Sequence, residues 1–205
     1  FEKLMKKYKS LLPFLIFIIL FVIINKTSKI FLNQTNFEKR SVPQFVERVY
    51  GKKDKEDYLL VLQEQNFSFK YSPFIEFLET ERNGRFVTVS GMGNRCNRND
   101  IEFCVEAQGG KNEIWVFGGS TTFGYGVKND ETIPAYLEKL INRKKKVINF
   151  GSGFWFSTQE RIFFQNLITK LDPPSVAIFI DGANDFSLRF TENTAYSSII
   201  KDKLD

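Results

Sequence analysis

The reading of the fold turns on Ile114-Trp115-Val116-Phe117-Gly118-Gly119-Ser120. Apolar residues in an unbroken run, with no polar alternation, fit a strand buried on both faces. The run breaks at two glycines and a hydroxyl residue, which is loop composition. The same pattern returns twice. Lys146-Val147-Ile148-Asn149-Phe150 leads into Gly151-Ser152-Gly153, and Val176-Ala177-Ile178-Phe179-Ile180 leads into Asp181-Gly182-Ala183-Asn184-Asp185. Two helical stretches lie between. Over residues 131–142, Ile133, Tyr136, Leu137, Leu140 and Ile141 fall at helical spacing, with Pro134 in the first turn. Over residues 157–171, Ser157 or Thr158 is expected as N-cap, Glu160 sits in the first turn, and Pro173-Pro174 follow the end. Alternating strands and helices imply an α/β fold: a three-layer α/β/α arrangement with a parallel sheet. Ligands of such sheets bind beyond the carboxyl ends of the strands. The three loops therefore bring a hydroxyl, backbone amides and a side-chain amide to one edge.

Upstream, residues 58–110 form a leading β-rich segment. Tyr58-Leu59-Leu60-Val61-Leu62, Phe67-Ser68-Phe69-Lys70-Tyr71 and Arg85-Phe86-Val87-Thr88-Val89 read as strands or extended edges, with Asn83-Gly84 as a turn signal. Cys96 and Cys104 stand in a polar loop; in an oxidising compartment they close a small disulfide, and otherwise they are two free thiols. Residues 26–57 read as a polar linker with a short helix through 43–50. Residues 11–24 carry no polar side chain and follow Lys3, Lys6, Lys7 and Lys9. A spanning helix takes about 20 apolar residues, or ~17 with snorkelling flanks. No small-residue cleavage pattern follows the run, and it has no polar stripe. A membrane anchor over residues 1–25 is therefore expected ahead of a cleaved signal or a buried core helix. The Lys bias puts the N-terminus in the cytoplasm and the α/β domain, residues 111–205, outside it.

Composition removes several classes of chemistry. The 205 residues hold 29 Lys+Arg, 24 Asp+Glu, 2 Cys and no His. Without His, no His-ligated metal site and no Ser–His or Cys–His pair can be assembled from these residues alone. Two Cys do not make a structural zinc site, so neither metal nor cofactor is expected. The net charge of +5 lies partly beside the apolar run, so it reads as membrane-flank charge and no nucleic-acid partner is expected. Gly119-Ser120-Thr121-Thr122-Phe123-Gly124 begins like a P-loop, but Tyr125-Gly126 stands where Lys-Ser/Thr is required. Gly151-Ser152-Gly153 begins like a dinucleotide fingerprint, but Phe156 occupies the third glycine position.

Together the three loops resemble the SGNH/GDSL hydrolase superfamily, over residues 113–186. Gly118-Gly119-Ser120 is similar to its first block, with Gly119 in place of Asp and Thr121 in place of Leu. Asn149-Phe150-Gly151-Ser152-Gly153 is similar to the second and Gly182-Ala183-Asn184-Asp185 to the third. The resemblance implies an SGNH/flavodoxin-like fold with Ser120 as nucleophile. It also implies oxyanion donors at the Gly153 amide, taken ahead of Gly151, and at the Asn184 carboxamide. Asp185 is read as a capping residue. Phe154-Trp155-Phe156 reads as core, with lining of an acyl or sugar pocket as its alternative. The family's fourth block, Asp-x-x-His, is absent; truncation at the C-terminal side is expected to account for that, ahead of decay of the active site. The expectation is then a membrane-anchored, extracytoplasmic serine esterase acting on a small acyl ester such as an acetylated cell-envelope glycan. The 205 residues alone are expected to turn over negligibly. An O-acyltransferase using the same serine, or a non-catalytic glycan-binding or scaffold module, are the alternatives.

Overall fold

A computed structural model describes residues 37–99, 104, 106–182 and 184–186, with 18, 21, 22 and 26 besides. The anchor expected over 11–24 lies, apart from 18, 21 and 22, outside the described residues. Among the described residues no helix is long and apolar enough to cross a membrane. The chain divides into two compact units, Phe1–Lys55 and Glu56–Asp205.

In the first unit, α1 (Phe37–Tyr50) is longer than the short helix expected in the linker. Pro43 lies inside it, where the helix forgoes one backbone hydrogen bond. The boundary between the units falls at the first residue of α2 (Lys55–Glu64). This helix replaces the strand expected at Tyr58–Leu62. A short apolar run does not by itself separate strand from helix; here Glu56 and Asp57 occupy the first turn, where the dipole favours acids.

The second unit continues with a hairpin of β1 (Phe69–Ser72) and β2 (Glu76–Glu79), in which Phe69 faces Glu79. Strands β3 (Arg82–Asn83) and β4 (Thr88–Val89) then pair antiparallel. The strand expected over 85–89 keeps only its last two residues. The Glu64 carboxylate takes the backbone N–H groups of Arg85, Phe86 and Val87 at 2.8, 2.8 and 2.9 Å, doing the work of a strand partner. Cys96 and Cys104 are joined as a disulfide.

The parallel sheet is built from β5 (Glu113–Gly118), β6 (Lys146–Gly151) and β7 (Val176–Ile180) in the order β6-β5-β7. Trp115 faces Ile148 on one side and Ala177 on the other. Three helices follow the strands: α3 (Ser120–Phe123), α4 (Ile133–Leu140) and α5 (Ser157–Ile168). Alternate residues of β5 serve opposite faces, as a strand requires. Trp115 and Phe117 join Ile148 and Phe150 beneath Phe163 and Leu167 of α5. Ile114 and Val116 join Val147 against Leu137 and Ile141 on the α4 side. The expected parallel sheet with helices on its faces is thus present over the described residues. Thr132 caps α4, its hydroxyl accepting from Ala135 N at 3.2 Å. The cap of α5 is Phe156 rather than Ser157 or Thr158, and the Ser157 hydroxyl goes elsewhere.

Candidate active site

Strand β5 ends at Gly118 and the chain turns at once into α3, with Gly119 as N-cap and Ser120 exposed in the first turn. A four-residue helix cannot hold itself together, so its neighbours must. One support is contact with the end of β6. A Cβ on Gly151 would stand 2.2 Å from Phe123 N, so only glycine lets α3 lie this close. Asn149, fully buried, donates from Nδ2 to Thr122 O at 3.0 Å and accepts Gly151 N–H at 2.9 Å. The other support is Arg95, 1% exposed, whose guanidinium donates to Phe123 O, Gly124 O and Val127 O at 2.9, 2.5 and 2.6 Å. Gln65 Nε2 also donates to Gly124 O at 2.9 Å. These bonds take up carbonyls that a helix C-terminus would otherwise leave unpaired.

A cavity of about 130 Å³ opens beyond the carboxyl ends of β5 and β7. Ser120, Asn184, Trp155, Glu160 and Asp181 border it. Asn184 is fixed there by its Nδ2, which donates to Trp155 O at 2.5 Å. Its approach depends on Gly119, since a Cβ there would meet Asn184 Nδ2 at 2.7 Å. The structure therefore brings Ser120 and Asn184 to one cavity. Gly153 does not border it. Its N–H points instead to Glu79 Oε1 of β2 at 3.1 Å, and a Cβ on it would touch the Tyr125 ring at 3.0 Å. Asp185 accepts from Ser157 N at 3.2 Å and from Ser157 Oγ at 2.5 Å, so it secures the start of α5.

Two carboxyl groups are not among the candidate site residues of the sequence reading. Glu79 is wholly buried and accepts from Tyr125 OH at 2.8 Å, from Gly153 N–H and from Arg82, its ion-pair partner. Burial raises its pKa, against the pull of Arg82 and these donors. The Tyr125 hydroxyl is raised too, by burial and by the Glu79 charge. Glu160 is 1% exposed, and burial, with Asp181 and Asp185 adding to it, pushes its carboxyl up to about 9. A signal for Glu160 existed: it shares a helix face with Phe163 and Leu167, an acid in register with core residues. Among the described residues, no group of three or more His, Cys, Asp or Glu side chains is disposed to hold a metal ion.

These features define a mixed α/β protein with a serine and a carboxamide on one cavity at the edge of a parallel sheet. No family model matches the sequence, and no curated protein matches it. Solved structures similar to the chain include AlinE4, an SGNH-hydrolase family esterase, at 26% identity and a TM-score of 0.36, over 42% of this chain and 47% of that one. Two mutants of the same esterase match at 29% and 28% identity, each with a TM-score of 0.35, over 40% of this chain and 46% of theirs. The chain spans about half the length of the esterases it matches.

Proposed function

We propose that Ser120 is the nucleophile of an acyl-ester hydrolase of SGNH type, tethered to a membrane through residues 11–24 with its α/β domain outside the cytoplasm. The observation that carries the reading is the shared cavity of Ser120 and Asn184 beyond the strand ends. In this reaction Ser120 Oγ attacks the carbonyl carbon of the ester and its proton passes by way of a base to the departing alcohol. Water then releases the acid from the acyl-serine. Charge developing on the carbonyl oxygen is met by the Ser120 N–H, at the start of α3, and by the Asn184 carboxamide. One such donor is worth about 3–4 kcal/mol in the transition state. Gly153 spends its N–H on Glu79, so it is left out of the donor set here. The 205 residues contain no His to serve as that base. A small acyl group on a cell-envelope glycan is the substrate proposed.

The test is covalent trapping in the protein as the cell makes it. A fluorophosphonate is expected to label the Ser120 peptide, with no label in Ser120→Ala and labelling slowed roughly 100-fold or more in Asn184→Ala. Label absent from Ser120, or indifferent to Asn184, would sink the proposal.

A further inference from the structure

Glu160 and Asp181 take no part in the acyl transfer proposed above, yet both border its cavity. Glu160 reaches it from the core face of α5 and is 1% exposed. Asp181, on the same cavity wall, is one of the two acids whose charge disfavours ionisation of Glu160. Glu160 Oε2 is buried and finds no N–H or O–H partner among the described residues. Burial disfavours the charged form of a carboxyl group, and neighbouring negative charges disfavour it further. Both act on Glu160, burial first and then Asp181 and Asp185, and they hold its carboxyl in the protonated form. Of the described residues bordering the cavity, none is Lys or Arg.

The wall therefore presents an O–H donor beside a carboxylate acceptor. An anion meets repulsion there. A hydrocarbon leaves a buried polar oxygen unpaired, which is costly. A hydroxyl group both donates and accepts, so it satisfies either partner. A single hydroxyl competes with water on equal terms, whereas two on neighbouring carbons engage both carboxyl groups at the entropic cost of one molecule.

We propose that Glu160 and Asp181 form a hydroxyl-binding subsite that selects esters of polyhydroxy alcohols, one hydroxyl accepting from Glu160 and its neighbour donating to Asp181. The proposal rests on the reading of Ser120 as the acylated residue, because the subsite is placed by the cavity they share.

The test is titration of the 15N-labelled 205-residue chain with two acetyl esters, glycerol monoacetate and ethyl acetate, read from amide shifts of Ser120, Asn184 and Gly182. Only the first ester carries neighbouring hydroxyls. It is expected to bind roughly tenfold more tightly, the gain available from one charge-assisted hydrogen bond. The preference is expected to fall to about twofold or less in Glu160→Ala and in Asp181→Ala, and to persist in Glu160→Gln, whose amide still donates. Ethyl acetate is expected to bind alike in every variant. Equal binding of the two esters, or a preference that survives Asp181→Ala, overturns the subsite. Shifts at Gly182 with glycerol monoacetate but none at Ser120 and Asn184 with either ester would uphold the subsite and sink the acylation reading instead. If Glu160→Ala loses its native spectrum, Glu160→Gln and Asp181→Ala decide the matter.

Discussion

At the residue scale the site depends on an atom that is missing. Gly119 has no Cβ, and the Asn184 carboxamide occupies the place one would take. Gly119→Ala is therefore expected to push the carboxamide away while leaving Ser120 intact. In the reaction proposed above, the expected loss in kcat/KM is about 10²–10³, the value of one oxyanion donor. Asn184 is only half-buried, so Tm is expected to change little; a fall in Tm matching the loss of activity would point to unfolding instead. Ser120 and Asn184 were legible in the sequence because each follows a strand end at a small-residue loop, and strand ends are fixed by the apolar pattern. The placing of Gly153 was not. Its hydrogen-bond partner, Glu79, comes from another hairpin, 74 residues upstream, and no local pattern encodes such a contact.

At the scale of elements, α3 is held by others. The clamp on its C-terminal carbonyls comes chiefly from Arg95, a residue that reads in sequence as one more polar loop position. Arg95→Ala removes these donors and leaves buried Glu79 with one less compensating charge. The expected loss is about 3–5 kcal/mol, measured from the urea midpoint. Arg95→Lys is expected to recover only part of it, since an ammonium cannot reach several carbonyls with a planar fork. A change within about 0.5 kcal/mol in Arg95→Ala, the usual range for surface sites, would refute the clamp. The elements legible in the sequence were those with long regular patterns: β5, β6, β7, α4 and α5. Helix α2 and strand β2 were not. The first has a short apolar run that fits either structure. The second, Glu76-Phe77-Leu78-Glu79, puts an acid on the same buried face as Phe77, so polar and apolar residues do not alternate along it.

At the scale of the whole molecule, the buried acids set the response to pH. The Glu160 carboxyl has an ordinary value of 4.5 in the unfolded chain and is held up to about 9 in the fold, by burial first and by Asp181 next. Between those values the folded state binds more protons than the unfolded one, so stability falls as pH rises. The contribution is complete below 4.5 and spent above 9. Glu160→Gln has no proton to lose there. Its Tm is thus expected to gain on that of the unaltered protein steadily from pH 5 to pH 9, in paired thermal melts. Parallel curves would show that Glu160 ionises normally. The wall of the same cavity also supplies an optical reporter. Trp115 and Trp155 are the chain's two tryptophans, both almost wholly buried, and only Trp155 borders the cavity. Native fluorescence should accordingly be blue-shifted, and a Trp115→Phe protein would leave a lone indole whose emission registers each molecule entering beside Ser120.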